Sequence, residues 1–308
     1  MKLLIIETAK VSPSTTIAHV RNAMEIHRYF NSIDDCSCDI VDGTSDVPDG
    51  QFDIILFSAA TIHFNFAQFE ALLDRQTHCQ IGWITNEFEL FANAFVKERM
   101  TFMITNFEEH GIKKAHRHDS LLVTNLNTLL AKERNNPIAK KYGCCYYGTY
   151  RKYRDPYFSK YLDESGEVLL STSRKNVKRF IDAGVSCNFT DKFSWSFGQE
   201  TLNLFASSLY IEDTKTHSCF NYMANRFFEG LFCNTPCFFD SSCISTIHKD
   251  VYEIDKDFIV DGLDDLKVRT SSLSEEKKEQ FLTVNTGIAL NEKRKTLRDI
   301  HLFFKGII

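Results

Sequence analysis

The stretch 225–240, NRFFEGLFCNTPCFFD, sets two opposite charges, Arg226 and Glu229, three residues apart inside a run of Phe, Leu and Cys. Taken as a helix over 218–233 at about 100° per residue, it places Phe220, Met223, Ala224, Phe227 and Leu231 on one face. Tyr222, Arg226, Glu229 and Cys233 fall together on the other. Two chemistries fit this spacing. One is a surface i,i+3 ion pair, worth about 0.2–0.5 kcal/mol. The other is nucleotide binding: a carboxylate accepts hydrogen bonds from both hydroxyls of a ribose, and a guanidinium matches phosphate oxygens. Gly230 beside them costs helix stability and points to close packing.

A second candidate is YYGTYRKYR, 146–154. A strand ends at Gly148 and a polar loop follows. Gly148 and Thr149 can present backbone N–H groups and a hydroxyl to an anion. Arg151 and Arg154, with Lys152, can neutralise a diphosphate. Standing alone, the loop would read as a basic solvated turn. NFTDKF, 188–193, is another strand end with a loop in the same half. WITNEFEL, 83–90, closes a strand in the first half and carries Asn86, Glu87 and Glu89. A carboxylate there can act as a general base, or it is an ordinary acidic first turn of a helix. HGIKKAHRHD, 110–119, and the region 132–154 are locally basic, as a solvated face or as a phosphate-contacting rim.

The elements that must position these residues alternate along the chain. KLLII (2–6), DIILFSAA (53–60), IGWIT (81–85), FMIT (102–105) and LLVT (121–124) read as strands. Between them, 14–30 and 67–73 carry helical apolar spacing. The pattern then restarts. CCYYG (144–148), EVLLST (167–172), CNFT (187–190), SLYIE (208–212), PCFFD (236–240) and DFIV (257–260) are strand candidates, and a long polar helix covers about 274–304. Strands alternating with helices predict open parallel sheets. KERNNPIAKKYG, 132–143, breaks the series in two. Two α/β domains are therefore expected, with ligands beyond the carboxyl ends of the strands and a site in the cleft between the domains. Neither half has a GxGxxG or P-loop sequence, which weighs against dehydrogenase and kinase chemistry.

The chain has 308 residues, 43% of them hydrophobic and 25% charged, enough for two ordinary domains with proper cores. No apolar run approaches the roughly 20 residues that span a bilayer, and MKLLIIETAK is too quickly polar for a signal peptide. A cytoplasmic protein with no membrane partner is expected. The ten cysteines then read mainly as small buried hydrophobes. Cys233, Cys237 and Cys243, with His248, lack zinc-type spacing, so no metal site is expected. The net charge of −5 confines any nucleic-acid contact to a local patch.

These segments, in this order, resemble the DNA glucosyltransferases of T-even bacteriophages. The resemblance covers most of the chain and is clearest in the second half. It implies a GT-B fold: two Rossmann-like domains, 1–138 for the DNA acceptor and 139–290 for the UDP-sugar, with a C-terminal helix, 291–308, crossing back to the first domain. It implies transfer of a sugar from a UDP-sugar, glucose or arabinose, to 5-hydroxymethylcytosine in duplex DNA. YYGTYR is similar to the segment that holds the diphosphate, which carries over to Gly148, Thr149 and Arg151, and to Arg154 once a one-residue deletion is allowed. NFTDKF resembles the loop that holds uracil, pointing to Phe193. NRFFEGLFCNTPCFFD resembles the helix–turn–strand whose Arg binds phosphate and whose Glu binds ribose, hence Arg226 and Glu229. WITNEFEL resembles the segment carrying the catalytic Asp, and here Asn86 or Glu87 takes that position, depending on a one-residue shift. A family tyrosine near the diphosphate is replaced by His217 or Ser218. The resemblance implies no tightly bound cofactor and a monomer, acting in the host cytoplasm if phage-encoded. Dependence on Mg2+ or Mn2+, the sugar and the stereochemical course stay open. The alternatives are a GT-B enzyme with a protein or glycan acceptor, and a non-catalytic nucleotide-binding protein.

Overall fold

The computed structural model describes residues 1–7, 11, 18–42, 46, 48–58, 67–85, 98–105, 115–117, 139–172, 174–189, 202–211, 223–245, 247 and 250–308. Two compact units divide the chain: Met1–Asn127 with Glu292–Ile308, and Thr128–Asn291. Each is built on a six-stranded, all-parallel sheet.

In the first unit the strands are β1 (Lys2–Glu7), β2 (Ser37–Asp42), β3 (Ile54–Phe57), β4 (Gln80–Thr85), β5 (Phe102–Thr105) and β6 (Ala115–Arg117), in the order β2-β1-β3-β4-β5-β6. Central parallel strands are covered on both faces and so read as unbroken apolar runs. KLLIIE shows why. Leu3 and Ile5 face one core with helix α1 (Ala18–Phe30) and the end of the C-terminal helix, through Ala23, Ile26, Phe30, Leu297, Ile300 and Phe304. Leu4 and Ile6 face the opposite core with helix α2 (Ala67–Asp74), through Phe69, Leu72 and Leu73. Buried Lys293 of the C-terminal helix donates to buried Glu25 of α1, which Arg28 also contacts. Burial pulls the Lys293 ammonium below its ordinary pKa, against the pull of Glu25.

The second unit carries β7 (Tyr142–Tyr147), β8 (Val168–Ser171), β9 (Asn188–Phe189), β10 (Phe205–Tyr210), β11 (Cys237–Asp240) and β12 (Ile259–Val260). Their order, β12-β11-β10-β7-β8-β9, is that of a doubly wound nucleotide-binding sheet. Its helices are α3 (Asp155–Tyr161), α4 (Arg174–Asp182), α5 (Asn225–Phe232) and α6 (Leu263–Ser272). The C-terminal helix α7 (Glu275–Ile307) starts in this unit and ends in the first.

Several expectations shift. The helix drawn from 218 begins at Asn225, because Ala224 is extended (φ −70°, ψ 155°) and its N–H is taken by the Tyr210 hydroxyl at 3.0 Å. Two strands went unread. β2 is SCDIVD, half-buried and broken by Asp39, and β6 is formed by Ala115–Arg117 of the basic run, through backbone pairing with β5. DFIV starts as a 3-10 turn (Lys256–Phe258) before β12. The expected strand 121–124 and the break at 132–138 lie outside the described residues. Among the described residues, no helix is long and apolar enough to cross a membrane, and no group of three His, Cys, Asp or Glu side chains is placed to hold a metal ion. Cys233, Cys237 and Cys243 are buried free thiols.

The carboxyl ends of β11 and β12 are tied to α3 by one polar knot. Buried Asp240 accepts from Lys160 Nζ at 2.7 Å, from the Tyr161 hydroxyl and from Ser242, and Lys160 also reaches Asp261. Burial works to raise the Asp240 pKa, but the hydrogen bonds from Lys160, Ser242 and Tyr161 outweigh it and hold the carboxyl below its ordinary value. A depressed carboxylate pKa stabilises the fold above the unfolded-state value of about 3.9 and loses that contribution as pH falls through the folded value. We expect the thermal midpoint to fall steeply below about pH 4. In Asp240→Asn that acid limb should flatten while the neutral-pH midpoint drops; an acid limb of unchanged slope would refute the assignment.

Candidate active site

In a doubly wound sheet the ligand crevice opens where successive crossovers leave in opposite directions. In the second unit that point lies between β7 and β10. β7 pairs on one side with β8 and on the other with β10, which follows β9 in sequence. Gly148 and Thr149 leave β7 at this point. The Gly148 N–H still bonds the Ser171 carbonyl at 3.3 Å, which extends the ladder by one step.

Helix α5 runs back along the sheet before β11, so its N-terminus sits at the same carboxyl edge. Helix N-termini expose backbone N–H groups and carry partial positive charge, which suits phosphate. Arg226 is in its first turn. A Cβ built on Gly148 would lie 3.3 Å from Arg226 Nη2 and 2.9 Å from the Tyr146 hydroxyl. The structure therefore joins the two segments that carry the candidate residues, 78 positions apart in sequence (226 − 148). Only glycine fits at 148 without moving both side chains.

Arg154 enters from a 3-10 turn (Lys152–Arg154) that leads into α3. It is 4% exposed, and its Nη1 donates to the Tyr146 hydroxyl at 2.9 Å and to the Thr149 carbonyl at 3.3 Å. Arg151, by contrast, is exposed at the mouth of the loop. Gly148, Thr149, Arg154 and Arg226 thus come together, and Arg151 stands outside them.

Glu229 lies one turn further along α5 and is 9% exposed. The face shared by Arg226, Glu229 and Cys233 is not a solvent face. Cys233 is 2% exposed and packs with Cys145, Leu202 and Phe205, while Phe227 packs on Phe239 and Tyr252 from the other side. That excludes the exposed-pair chemistry for this segment. Gly230 is required by packing: a Cβ there would sit 2.8 Å from the Thr235 carbonyl oxygen. The helix ends in a glycine-type cap made by Asn234 (φ 50°), with the Thr235 N–H bonded to the Gly230 carbonyl at 3.0 Å. Lys140 braces this turn through the Cys233 carbonyl at 2.6 Å and Thr235 Oγ1 at 3.0 Å, and burial brings its pKa down to about 8.

Two side chains of this edge went unread in the sequence. Tyr146 looks like one more aromatic of a buried strand, yet its hydroxyl and ring lie against Arg154, Gly148 and Arg226. Thr172 follows β8 at the position next to Gly148 in the parallel register. It is 4% exposed, and its hydroxyl has no hydrogen-bond partner among the described residues. At the corresponding edge of the first sheet, Ser58 donates to buried Glu7, and the Val11 N–H donates to Asp42 at 2.9 Å. Asn86, Glu87, Phe193, His217 and Ser218 lie outside the described residues.

The two parallel sheets and the site edge of the second define the chain as a two-domain α/β protein with the GT-B fold. Comparison with solved structures agrees over the whole length. The chain is similar to the DNA-modifying enzyme β-glucosyltransferase, with TM-score 0.68, 15% identity, and 100% of this chain and 99% of that one covered. T4 phage β-glucosyltransferase in complex with UDP and Mn2+ gives 0.67 at 16% identity, with 100% and 99% covered. An α-glucosyltransferase in complex with UDP and a 13-mer DNA gives 0.62 at 10% identity, with 97% and 100% covered. No protein-family model matches, and no curated protein sequence matches.

Proposed function

We propose that the chain is a DNA-modifying glycosyltransferase that moves a sugar, glucose or arabinose, from a UDP-sugar to the hydroxymethyl group of 5-hydroxymethylcytosine in duplex DNA. The observation that carries this reading is the convergence of Gly148, Thr149, Arg154 and Arg226 at the switch point of the second sheet. The fold around it is shared end to end with two glucosyltransferases, one a DNA-modifying enzyme and one bound to DNA. The second half holds the donor. Gly148 lets the diphosphate approach the backbone, and Thr149 offers its hydroxyl. Arg226, Arg151 and Arg154 balance the phosphate charge. Glu229 takes the ribose hydroxyls, and Phe193 belongs to the segment that receives uracil.

The first half holds the DNA. The target base leaves the stack so that its hydroxymethyl oxygen can reach the sugar. That oxygen attacks the anomeric carbon, the bond from that carbon to the diphosphate breaks, and UDP departs with the electron pair. The hydroxymethyl proton passes to a base, assigned to Glu87. The arginines act where negative charge grows on the leaving diphosphate, which is where fixed positive charge lowers a barrier most. The protein works as a monomer. One of the similar structures holds UDP with Mn2+, so the rate is measured with and without a chelator.

Incubating the protein with hydroxymethylated duplex DNA and a panel of UDP-sugars, then weighing the nucleosides, is expected to show one hexose or pentose added. No mass gain with any donor would refute the reading. The net charge of −5 favours a second one, a GT-B transferase acting on a protein or glycan. Duplex binding that weakens steeply with salt argues against it.

A further inference from the structure

We infer that Tyr146 is the positioning residue of the donor site: it holds Arg154 and Arg226, which arrive from separate segments, in one fixed arrangement before any nucleotide binds. The inference rests on the donor-site reading above.

Tyr146 is fully buried near the end of β7, two residues before Gly148. Its ring is wedged edge-on against Phe158 of α3 (centroids 5.3 Å apart, planes at 67°) and against Phe180 of α4 (6.4 Å, 67°). Two aromatic walls from different helices leave the phenol no second rotamer without repacking both. Its hydroxyl is therefore a fixed point, and three parts of the site are measured from it. Arg154 Nη1 donates to it at 2.9 Å. The Arg226 guanidinium carbon lies 5.5 Å from its ring centroid, in the range of a cation–π contact. The bare Cα of Gly148 lies against the hydroxyl, where a Cβ would be 2.9 Å from it.

Arginine side chains lose much rotamer freedom when a ligand must order them, and pre-ordering removes that cost from binding. A neutral phenol suits this task. A carboxylate at the same point would fix the arginines equally well but would cancel the charge meant for phosphate. Phenylalanine at 146 would keep the wedge and the cation–π face and lose only the anchor of Arg154. Leucine would lose both.

The test uses the full chain, with UDP as the calorimetric probe. Tyr146→Phe is expected to bind UDP about tenfold more weakly, the size of one lost hydrogen bond to a charged group, with a thermal midpoint close to that of the unaltered protein. Tyr146→Leu should lose several-fold more. In an Arg154→Met background, Tyr146→Phe should cost less than about twofold, because the anchor acts through Arg154. A purely structural role predicts the reverse pattern: a lowered midpoint with UDP affinity intact. Wild-type UDP affinity in Tyr146→Phe, or an undiminished loss in the Arg154→Met background, would overturn the inference and leave the donor site standing. Failure of the unaltered chain to bind UDP would overturn the donor-site reading itself, and this inference with it.

Discussion

Arg226→Ala is expected to weaken UDP binding roughly a hundredfold, about 3 kcal/mol, with little change in the melting temperature. Hydrogen bonds to charged groups contribute about 1.5–3 kcal/mol, and a guanidinium facing phosphate makes them in pairs. Arg226 sits in the first turn of α5, where helix-end N–H groups add to its field. Its Nη2 lies close to Gly148, at the level where the diphosphate would pass. Arg226→Lys should recover only part of the loss, because a point charge cannot reproduce the fork. Glu229 gives the paired result. The unaltered protein should prefer UDP over 2′-deoxy-UDP, and Glu229→Gln should lose that preference while both nucleotides bind more weakly. If instead the two residues served only each other, each substitution would lower stability and leave nucleotide affinity alone. Titration of the variants with both nucleotides, beside melting curves, separates these outcomes.

The spacing of Arg226 and Glu229 was legible because helical periodicity is a local property. The burial of Glu229 and the half-burial of Arg226 were not. They depend on Tyr146 and Cys145 of a strand some eighty residues earlier, with Gly148 just beyond it, and on a turn that Lys140 braces. The sequence drew α5 too long for a similar reason. Met223 and Ala224 continue the apolar stripe, but the Tyr210 hydroxyl captures the Ala224 N–H and keeps that residue extended.

Among the strands, those buried on both faces, such as β1, β3 and β5, could be read as apolar runs. β2 and β6 sit at the two edges of their sheet. There the backbone makes the bonds and the side chains carry little signal, so SCDIVD and AHR passed unread. Tyr146 shows the limit from the other side. In CCYYG it counts as one more core aromatic, and only the tertiary arrangement reveals that its hydroxyl is an anchor. The candidate segments 146–154 and 225–240 lie far apart in the sequence, and the fold brings Gly148, Thr149, Arg154 and Arg226 to one edge.

The proton acceptor gives the last and largest expected effect. β4 ends at Thr85, paired with Thr105 of β5, and Asn86 and Glu87 come next in the sequence. The carboxyl edge of a parallel sheet is where such folds place their ligands. An amide has no useful basicity, so Asn86 cannot take the hydroxymethyl proton, whereas Glu87 can. General bases contribute about 10²–10⁴ in rate. Glu87→Gln is therefore expected to lower kcat about a thousandfold and leave UDP affinity unchanged, since the proposed donor residues belong to the other half. Asn86→Asp in that background should restore turnover if position 86 faces the acceptor. Full activity in Glu87→Gln would remove Glu87 as the base and leave Glu89 as the remaining carboxylate of this segment. The configuration of the product then separates two mechanisms. Inversion demands another base. Retention fits a front-side displacement in which the leaving phosphate itself receives the proton, and Arg226 and Arg154 would then control that phosphate's basicity as well as its departure.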